Sequence, residues 1–370
     1  TEIYTLSLHD ALPISTTRGT VAAGSEGTGG DHRGDSDASP QRRAAFDSYI
    51  RRGFGGLTEE ERGVLQNMRS TLTKEERAMV VGTDASGGYT VPEEFYKKLT
   101  EAKKPYSGVQ EAGATIFNTL TGAPIPMTTE NDTNNKGELV GEGGDRSSGS
   151  DPEFGQVMLN AYMYSSKIVQ VSLELLQDSA FDIEAHLSRK LGIRLARITN
   201  DHFTTGTGSN RPRGFMVGAT LGVTGGTGQQ ETITYSNLVG LEHSVNAAYR
   251  FNAKWQMADS TVMAIKKMAD SQGRPLWVPG IAVREPDTIL GYQWKVNDEM
   301  DAMGAEKKSV AFGDFSAYHI RKVTGAKIIR LAERYAELGM VGFLAFERMD
   351  GDLLDAGTHP IKYYQHPEAA

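Results

Sequence analysis

One amphipathic helix is the feature that most constrains the fold of this chain. Between residues 173 and 216, apolar side chains recur at spacings of four, four, four and three, along one helical face. They are Ile183, Leu187, Leu191, Leu195 and Ile198. The spacing predicts a helix over residues 182–203, roughly 33 Å long at 1.5 Å per residue. Gly192 in its middle indicates a close neighbour, because glycine otherwise destabilises a helix.

Charge and cysteine content exclude several classes of protein. The chain carries 39 basic and 47 acidic residues, a net charge of −8, and has no basic cluster interleaved with aromatic residues. It contains no cysteine, which excludes disulfides, thiolate metal sites, iron–sulfur clusters and cysteine nucleophiles. No apolar run approaches the ~18 residues of a membrane span, so no membrane contact is expected.

The first forty residues are predicted to lie outside the fold. Residues 7–14 (SLHDALPI) read like the translation of a sequencing adapter, and the first methionine is Met68. We therefore interpret residues 1–14 as an assembly artefact. Residues 15–40 are rich in Gly, Ser, Thr and Asp, so the whole stretch 1–40 is predicted to be a disordered leader.

The next segment, residues 41–81, has a helical pattern. Thr58 and Thr73 each begin a sequence that resembles a capping box. The segment is too short to form its own core and must pack on something else, or serve only temporarily. Residues 82–90 are predicted to be a flexible hinge, followed by a helix around residues 94–102.

Residues 157–175 predict an arm. Their apolar and polar side chains alternate in part, the pattern of a strand. As one strand they would span roughly 60 Å, whereas ordinary strands have about three to ten residues. We expect residues 114–127 to be the pairing partner. The tip between them, residues 128–155, holds six glycines and seven acidic residues. It cannot bury itself within its own subunit, so the arm is predicted to lie on a neighbour.

The second half of the chain alternates helices with strands, which predicts a second, α/β domain. Ser236 is the predicted N-cap of its first helix. The expected elements are helices over 237–249 and 260–269, a turn at 272–275, and strands at 254–257, 309–312, 327–331 and 341–349. Asp350-Gly351 predicts a hairpin turn. Ile361 and Tyr363 would then return the chain to a sheet beside the long helix.

The sequence predicts no catalytic residues, no metal and no cofactor. The glycine-rich stretch 206–210 follows a helix, whereas a phosphate loop must open one. A calcium-like loop from Asp132 has Lys136 at a ligand position and Gly143 where a bidentate Glu belongs. His202 is interpreted as a cation at a helix C-terminus. No G-x-S-x-G elbow is present, but the members of a Ser-His-Asp triad are distant in sequence, so a soluble hydrolase stays an alternative.

The order of these segments resembles the major capsid proteins of tailed bacteriophages and prophages, with the Hong-Kong-97-type capsid fold. The resemblance covers residues 41–364. It rests on the hairpin arm, the long helix and four stretches: GTDASGGYTVPEEF (82–95), GTGSNRPRGF (206–215), RFNAKWQMADSTVMAIKKMADSQGRPLW (250–277) and VGFLAFERMDGDLLD (341–355).

The resemblance implies an α+β fold divided in the way of that family. The long helix would be the spine helix of the P-domain. The implied divisions are a scaffolding-like (delta) segment at 41–82, an N-arm at 83–113, an E-loop hairpin at 114–171, a P-domain at 172–232 and 328–370, and an α/β A-domain at 233–327.

The resemblance also implies the function and partners. The chain would be a virion head protein that assembles in the host bacterial cytoplasm into an icosahedral procapsid of hexamers and pentamers. Double-stranded DNA would be enclosed and contacted only non-specifically. The acidic balance suits a shell that must not hold its DNA tightly. A portal, a decoration protein and a prohead protease, cutting near residues 81–88, are the other implied partners.

Two further expectations follow from the resemblance. Some relatives join subunits through an isopeptide bond between an E-loop Lys and a C-terminal Asn. Lys136 could supply the amine, but no Asn follows Asn297, so we predict a shell that is not crosslinked. An encapsulin, a protein-cargo compartment with the same fold, is the nearest alternative; such shells generally lack a leader like residues 41–81.

Overall fold

The computed structural model describes residues 35–70, 88–90, 93–131, 153–178, 182–269, 288–355 and 357–369. Several predictions lie outside these described residues: those for residues 1–34, the capping box at Thr73, the calcium-like loop with Lys136, and the turn at 272–275. Residues Thr1–Ser39 separate as a unit of their own, and the fold below is that of the unit Pro40–Ala370. Among the described helices none is long and apolar enough to cross a membrane.

The predicted long helix is confirmed as Ile183–Thr205. Asp182 is its N-cap, and the side chain accepts a hydrogen bond from the Ala185 N–H at 2.9 Å. The predicted apolar stripe is buried, apart from Ile198, which is half-buried. Gly192 does have a close neighbour, because a Cβ atom there would lie 2.8 Å from the backbone oxygen of Leu99.

A six-stranded sheet packs against this helix to form the main lobe. Its centre is the antiparallel pair β12 (Tyr318–Leu331) and β13 (Met340–Leu353), each of which also pairs with two further strands. Phe203 of the long helix meets Tyr318 of β12 with the ring centroids 6.1 Å apart. The strands are β1 (Gly88–Thr90), β2 (Thr115–Thr119), β5 (Tyr162–Ser165), β6 (Val169–Ser172), β12 (Tyr318–Leu331) and β13 (Met340–Leu353). The strands predicted at 327–331 and 341–349 are therefore confirmed as parts of longer ones.

The N-terminal helices pack on the main lobe. Phe46, Tyr49 and Ile50 are buried in its core, and the Phe46 and Phe95 rings meet edge to face at 5.4 Å. The capping box at Thr58 is confirmed, since its N–H donates to the Glu61 carboxylate at 2.8 Å. These helices are α1 (Asp35–Arg52), α2 (Glu59–Ser70), α3 (Glu93–Lys103) and the short α4 (Gly108–Glu111).

Two predictions for this N-terminal region need correction. Helix α1 begins at Asp35 and not after residue 40. Residues Gly88–Thr90, expected in a hinge, form strand β1 paired with Lys327–Ile329 of β12.

The second lobe is an α/β unit with its own core. The rings of Trp255 and Phe312 pack in a tilted arrangement with their centroids 4.3 Å apart, and both are fully buried with Tyr364. Its sheet has the order β7 (Thr220–Thr224), β14 (Ile361–Gln365), β11 (Val310–Gly313), β8 (Lys254–Met257), β10 (Tyr292–Val296) and β9 (Thr288–Ile289). Its helices are α8 (Tyr235–Ser244), α9 (Ala247–Arg250) and α10 (Asp259–Lys266). The main lobe contains α5 (Leu173–Asp178), the long helix α6 and the short α7 (Phe215–Gly218), whose Phe215 and Met216 lie in the main-lobe core.

A buried polar network joins the two lobes. The Asn200 side chain, on the long helix, donates to the Asn297 side-chain oxygen at 2.8 Å. The Asn297 amide donates in turn to Thr204 Oγ1 at 2.9 Å and to Gln256 Oε1 at 3.1 Å. Gln256 Nε2 donates to the Gly108 carbonyl at 2.8 Å. Because each of these buried amides has hydrogen-bond partners, the loss of water at the junction is compensated. The network also fixes how the two lobes meet.

The single strand predicted over residues 157–175 is wrong. Residues 153–178 form β4 (Glu153–Leu159), β5, β6 and then helix α5. The alternation changes parity, so that Met163 is exposed and Tyr164 is buried. Lys167 takes a φ of 57°, which breaks the strand again. Ser172 Oγ accepts from the Leu175 N–H at 3.2 Å and starts the helix. The partner segment is also divided, into β2 and β3 (Ile125–Asn131).

The C-terminal topology also differs from the prediction. Asp350-Gly351 is not a turn, since β13 continues through it opposite Ile320 and Arg321. The hairpin turn lies at residues 332–339 and ends on Gly339, with a φ of 62°. Residues 361–365 do not return beside the long helix; they pair with β11 and β7 in the second lobe. The second lobe thus includes β7 and β14 but not β12. The predicted boundaries of the A-domain (233–327) and of the last P-domain segment (328–370) are therefore wrong at these three strands.

Helix 237–249 is corrected too. It occupies Tyr235–Ser244, and its N-cap is Thr234, whose hydroxyl accepts from the Asn237 N–H at 3.3 Å. Asn246 then caps a separate short helix through Ala248 N–H at 3.0 Å. The predicted helix 260–269 is present as Asp259–Lys266.

Candidate assembly surfaces

The β3–β4 hairpin extends as a sheet of its own. Ile125 pairs with Leu159 and Asn131 with Glu153, and this two-stranded sheet is separate from the two six-stranded ones. Seven residue pairs extend it by roughly 23 Å at about 3.3 Å per residue. Leu159, at its base, is buried, whereas Phe154 is 67% and Met158 49% exposed. An isolated hairpin is marginally stable in water, so this one requires a surface on which to lie.

A buried arginine fixes the base of this hairpin. Arg321 Nη1 donates to the carbonyls of Leu159 and Asn160, both at 2.9 Å. Its Nη2 donates to the Thr121 carbonyl at 2.7 Å, and its Nε donates to Thr119 Oγ1 at 3.1 Å. The guanidinium thus connects the segment before β3 and the end of β4 to the centre of the main sheet. Burial lowers the pKa of Arg321.

Asp350 complements this arginine. Its carboxylate accepts hydrogen bonds from the Asn160 and Gly351 N–H groups and lies near the Arg321 charge. Burial outweighs these contacts and raises the pKa of Asp350 to about 6. A second buried pair, Lys103 with Glu347, fastens the end of α3 to β13. Rigid attachment at its base leaves the hairpin's outer half as the part that meets a partner.

Further apolar side chains are exposed on both lobes. Phe251, in the turn before β8, is 92% exposed, and Met263 on α10 is 52% exposed. On the main lobe, Leu338 is 68% and Met163 67% exposed. Scattered apolar residues are normal on a surface. Large ones at the tips of turns and on a projecting hairpin are the kind of residue found in contacts between protein chains.

The residues considered for catalysis are held in structural roles. His202 lies in the last turn of the long helix, as predicted. Tyr164 Oη lies 3.0 Å from its Nδ1, and burial lowers its pKa, which disfavours the cationic form. Ser309 Oγ and His366 Nε2 lie 2.7 Å apart, but both residues are buried and His366 Nδ1 meets the Gln229 carbonyl, not a carboxylate. Within the described ranges, no group of three or more His, Asp or Glu side chains could hold a metal ion.

The glycine-rich loop after the long helix is also structural. Gly206 is the C-cap of the helix, and a Cβ atom on Gly214 would lie 2.4 Å from the Thr204 carbonyl. The loop therefore requires glycine for close backbone packing. Asn297 belongs to the buried network between the lobes, 1% exposed, and is not presented to a neighbouring chain.

Exposed apolar side chains on a hairpin that lies outside both six-stranded sheets suit contacts with other protein chains. The sequence model of the phage capsid family matches residues 87–365. The chain belongs to the phage capsid family. It is a structural protein, not an enzyme: a major capsid protein that assembles with its own copies into an icosahedral viral shell.

Solved structures show the same fold. The capsid of a native GTA particle is 24% identical, with a TM-score of 0.58, over 71% of this chain and 90% of that one. A structure from Microbacterium phage Oxtober96 is 16% identical, with a TM-score of 0.52, over 70% of this chain and 91% of that one. A structure from Gordonia phage Cozz is 15% identical, with a TM-score of 0.51, over 71% of this chain and 87% of that one. No curated protein matches the chain significantly. The α+β capsid fold is thereby confirmed, and the encapsulin and hydrolase alternatives have no support.

Proposed function

We propose that this capsid protein forms hexamers and pentamers of a procapsid that encloses double-stranded DNA, in the cytoplasm of a host bacterium. The observation that carries the proposal is the β3–β4 hairpin, on which the described residues of the subunit leave Phe154 67% and Met158 49% exposed. Exposed apolar side chains on a marginal hairpin become stable when an adjacent copy covers them.

The parts of the subunit take the following roles in this proposal. The main lobe serves as the P-domain, the second lobe as the A-domain that meets its copies at the symmetry axes, and the β3–β4 hairpin as the E-loop across a neighbour. Residues 83–113 serve as the N-arm, and residues 41–82 as the scaffolding-like segment. A prohead protease, a portal and a decoration protein complete the assembly, and DNA is contacted without sequence preference.

The hairpin provides the test. We expect Phe154→Asp with Met158→Asp to abolish shells seen by negative-stain electron microscopy, because a carboxylate buried in an apolar contact costs several kcal/mol. Far-UV circular dichroism should be unchanged, since both residues are exposed in the single subunit. The matched control, Phe154→Leu with Met158→Leu, keeps apolar side chains and should assemble. Normal shells from the aspartate variant would refute the role given to the hairpin.

A further inference from the structure

A basic groove runs along the long helix on the side away from the main-lobe core. Its volume is about 580 Å³. Four cations line it, all of them exposed: Arg189, Lys190, Arg194 and Arg197. From the first to the last, the helix rises roughly 12 Å at 1.5 Å per residue. The groove thus concentrates four positive charges in a short row.

This charge is a local exception. The whole chain has a net charge of −8, and the long helix has only two acidic residues, at its two ends. Glu184 is buried and lies 3.3 Å from Lys98 Nζ, and Asp201 lies one turn before the C-terminus. Neither is among the residues that line the groove. Glu299 lies near enough to Arg197 for their charges to interact, so Arg189, Lys190 and Arg194 carry most of the positive potential that a ligand of opposite charge can use.

Two of the cations are held in place. Arg194 Nη1 donates to the Ile168 carbonyl at 3.0 Å, and the Arg197 guanidinium lies 5.0 Å from the centre of the Tyr106 ring. Such contacts reduce the conformational entropy that a long side chain loses when it binds. Guanidinium groups also match the geometry of phosphate oxygens.

The lining favours a phosphate backbone over a protein partner. Apart from the Tyr106 ring, its apolar part is one half-buried aliphatic residue, Ile193. Protein partners gain most of their affinity from apolar and aromatic anchors in a desolvated centre. Duplex DNA binds through cations alone, with one negative charge per ~1.7 Å of its axis. The groove has the cations without the anchors.

We propose that this groove binds the phosphodiester backbone of duplex DNA, without sequence preference, and that this face of the subunit lines the inside of the shell. The inference rests on the proposed enclosure of DNA. It revises the expectation that the acidic balance keeps DNA away: repulsion acts over most of the subunit, and the groove provides a localised, salt-sensitive contact.

The test is duplex DNA binding by the full chain, measured by fluorescence anisotropy at 50–200 mM KCl below the assembly concentration. Four phosphate contacts give a slope of log K against log salt near −3.6, or about a 150-fold loss of affinity over this range. Arg189→Gln with Lys190→Gln should bring the slope to about −1.8 and the loss to about 12-fold. Arg189→Lys with Lys190→Arg keeps both charges and should restore the original slope.

The matched control is Arg334→Gln with Lys307→Gln. It removes the same charge from exposed positions elsewhere, and Arg334 also lies over a tyrosine ring, at 5.7 Å from the Tyr335 centroid. Its slope should equal that of the wild type. Equal slopes for the groove variant and the wild type, or an equal decrease in the control, would overturn the proposal. So would groove-dependent binding of polyglutamate without groove-dependent binding of DNA. Failure of the wild type to form shells would instead refute the proposed function.

Discussion

Arg321 and Asp350 show how two side chains position the hairpin. The arginine is fully buried, yet its donors are directed at three carbonyls and a hydroxyl around the hairpin base. The aspartate holds the Asn160 N–H on the same strand end. Buried charges persist in proteins where such partners compensate for the loss of water. The pair fixes the angle at which the hairpin leaves the main lobe.

Asp350 makes subunit stability depend on pH. Burial raises its pKa from 3.8 to about 6, so between these values the folded chain holds a proton that the unfolded chain has lost. Its contribution to stability therefore falls as pH rises through this window and is constant above it. The fall is on the order of 2–3 kcal/mol for a shift of this size.

Urea unfolding of the unassembled chain at pH 4 to 7 checks this. Asp350→Asn should remove this part of the pH dependence. Burial also raises the pKa of Asp352, and the pH dependence that Asp352 contributes should remain in both proteins. Parallel stability curves for wild type and variant would show that Asp350 titrates as in the unfolded chain.

Among the elements, the N-terminal helices are integrated into the main lobe. Phe46, Tyr49 and Ile50 lie in its core, and Arg330 of β12 donates to the Ile50 carbonyl at 3.1 Å. In the scaffolding-like role proposed for them, these helices would stabilise the subunit for as long as they are present. Their removal by a protease would expose Phe95 and its neighbours, which would then be available to other contacts.

Phe46→Ala tests this packing. It removes a fully buried ring that meets Phe95, so we expect a loss of about 3–5 kcal/mol in the free energy of unfolding. The control is Phe54→Ala in the same segment, which removes a ring that is 39% exposed and should cost about 1 kcal/mol or less. Urea unfolding measures both. Equal, small losses would mean that the segment does not pack on the main lobe.

The elements that the sequence predicts well are those with a local signal. The long helix has a full apolar stripe and an aspartate cap, and both are local. The Thr58 box is equally local. The arm is different. Its strand is interrupted at Lys167, and that interruption depends on the pairing of β5 and β6 with β13, a strand that is distant in sequence. The Asp350-Gly351 pair resembles a turn only locally. Gly351 is required there because a Cβ atom would lie 2.8 Å from Tyr318 Oη.

The candidate surfaces were less predictable. The arm with a polar tip is visible as a pattern, and its need for a neighbour follows from composition. The Arg321 contacts are not visible, because all of its acceptors are distant in sequence. The basic groove did leave a signal, cations at spacings of three and four along one helix. Nothing local in that pattern shows that this face of the helix is left open.

At the scale of the whole molecule, shell stability depends on contacts repeated by symmetry. We predict that mature shells contain no covalent links between subunits. Residues 298–370 contain no Asn, and Asn297 itself is buried between the lobes. Denaturing electrophoresis of mature particles should therefore show a single subunit band. A ladder of covalent multimers would refute this.

The central claim, that this chain builds a closed icosahedral shell, is tested most directly by electron microscopy. The full chain is expressed together with its neighbouring genes, and the particles are examined in negative stain. We predict large closed shells of uniform size with hexameric and pentameric capsomers. A discrete monomer or dimer, with no capsomers at any concentration, would contradict the account.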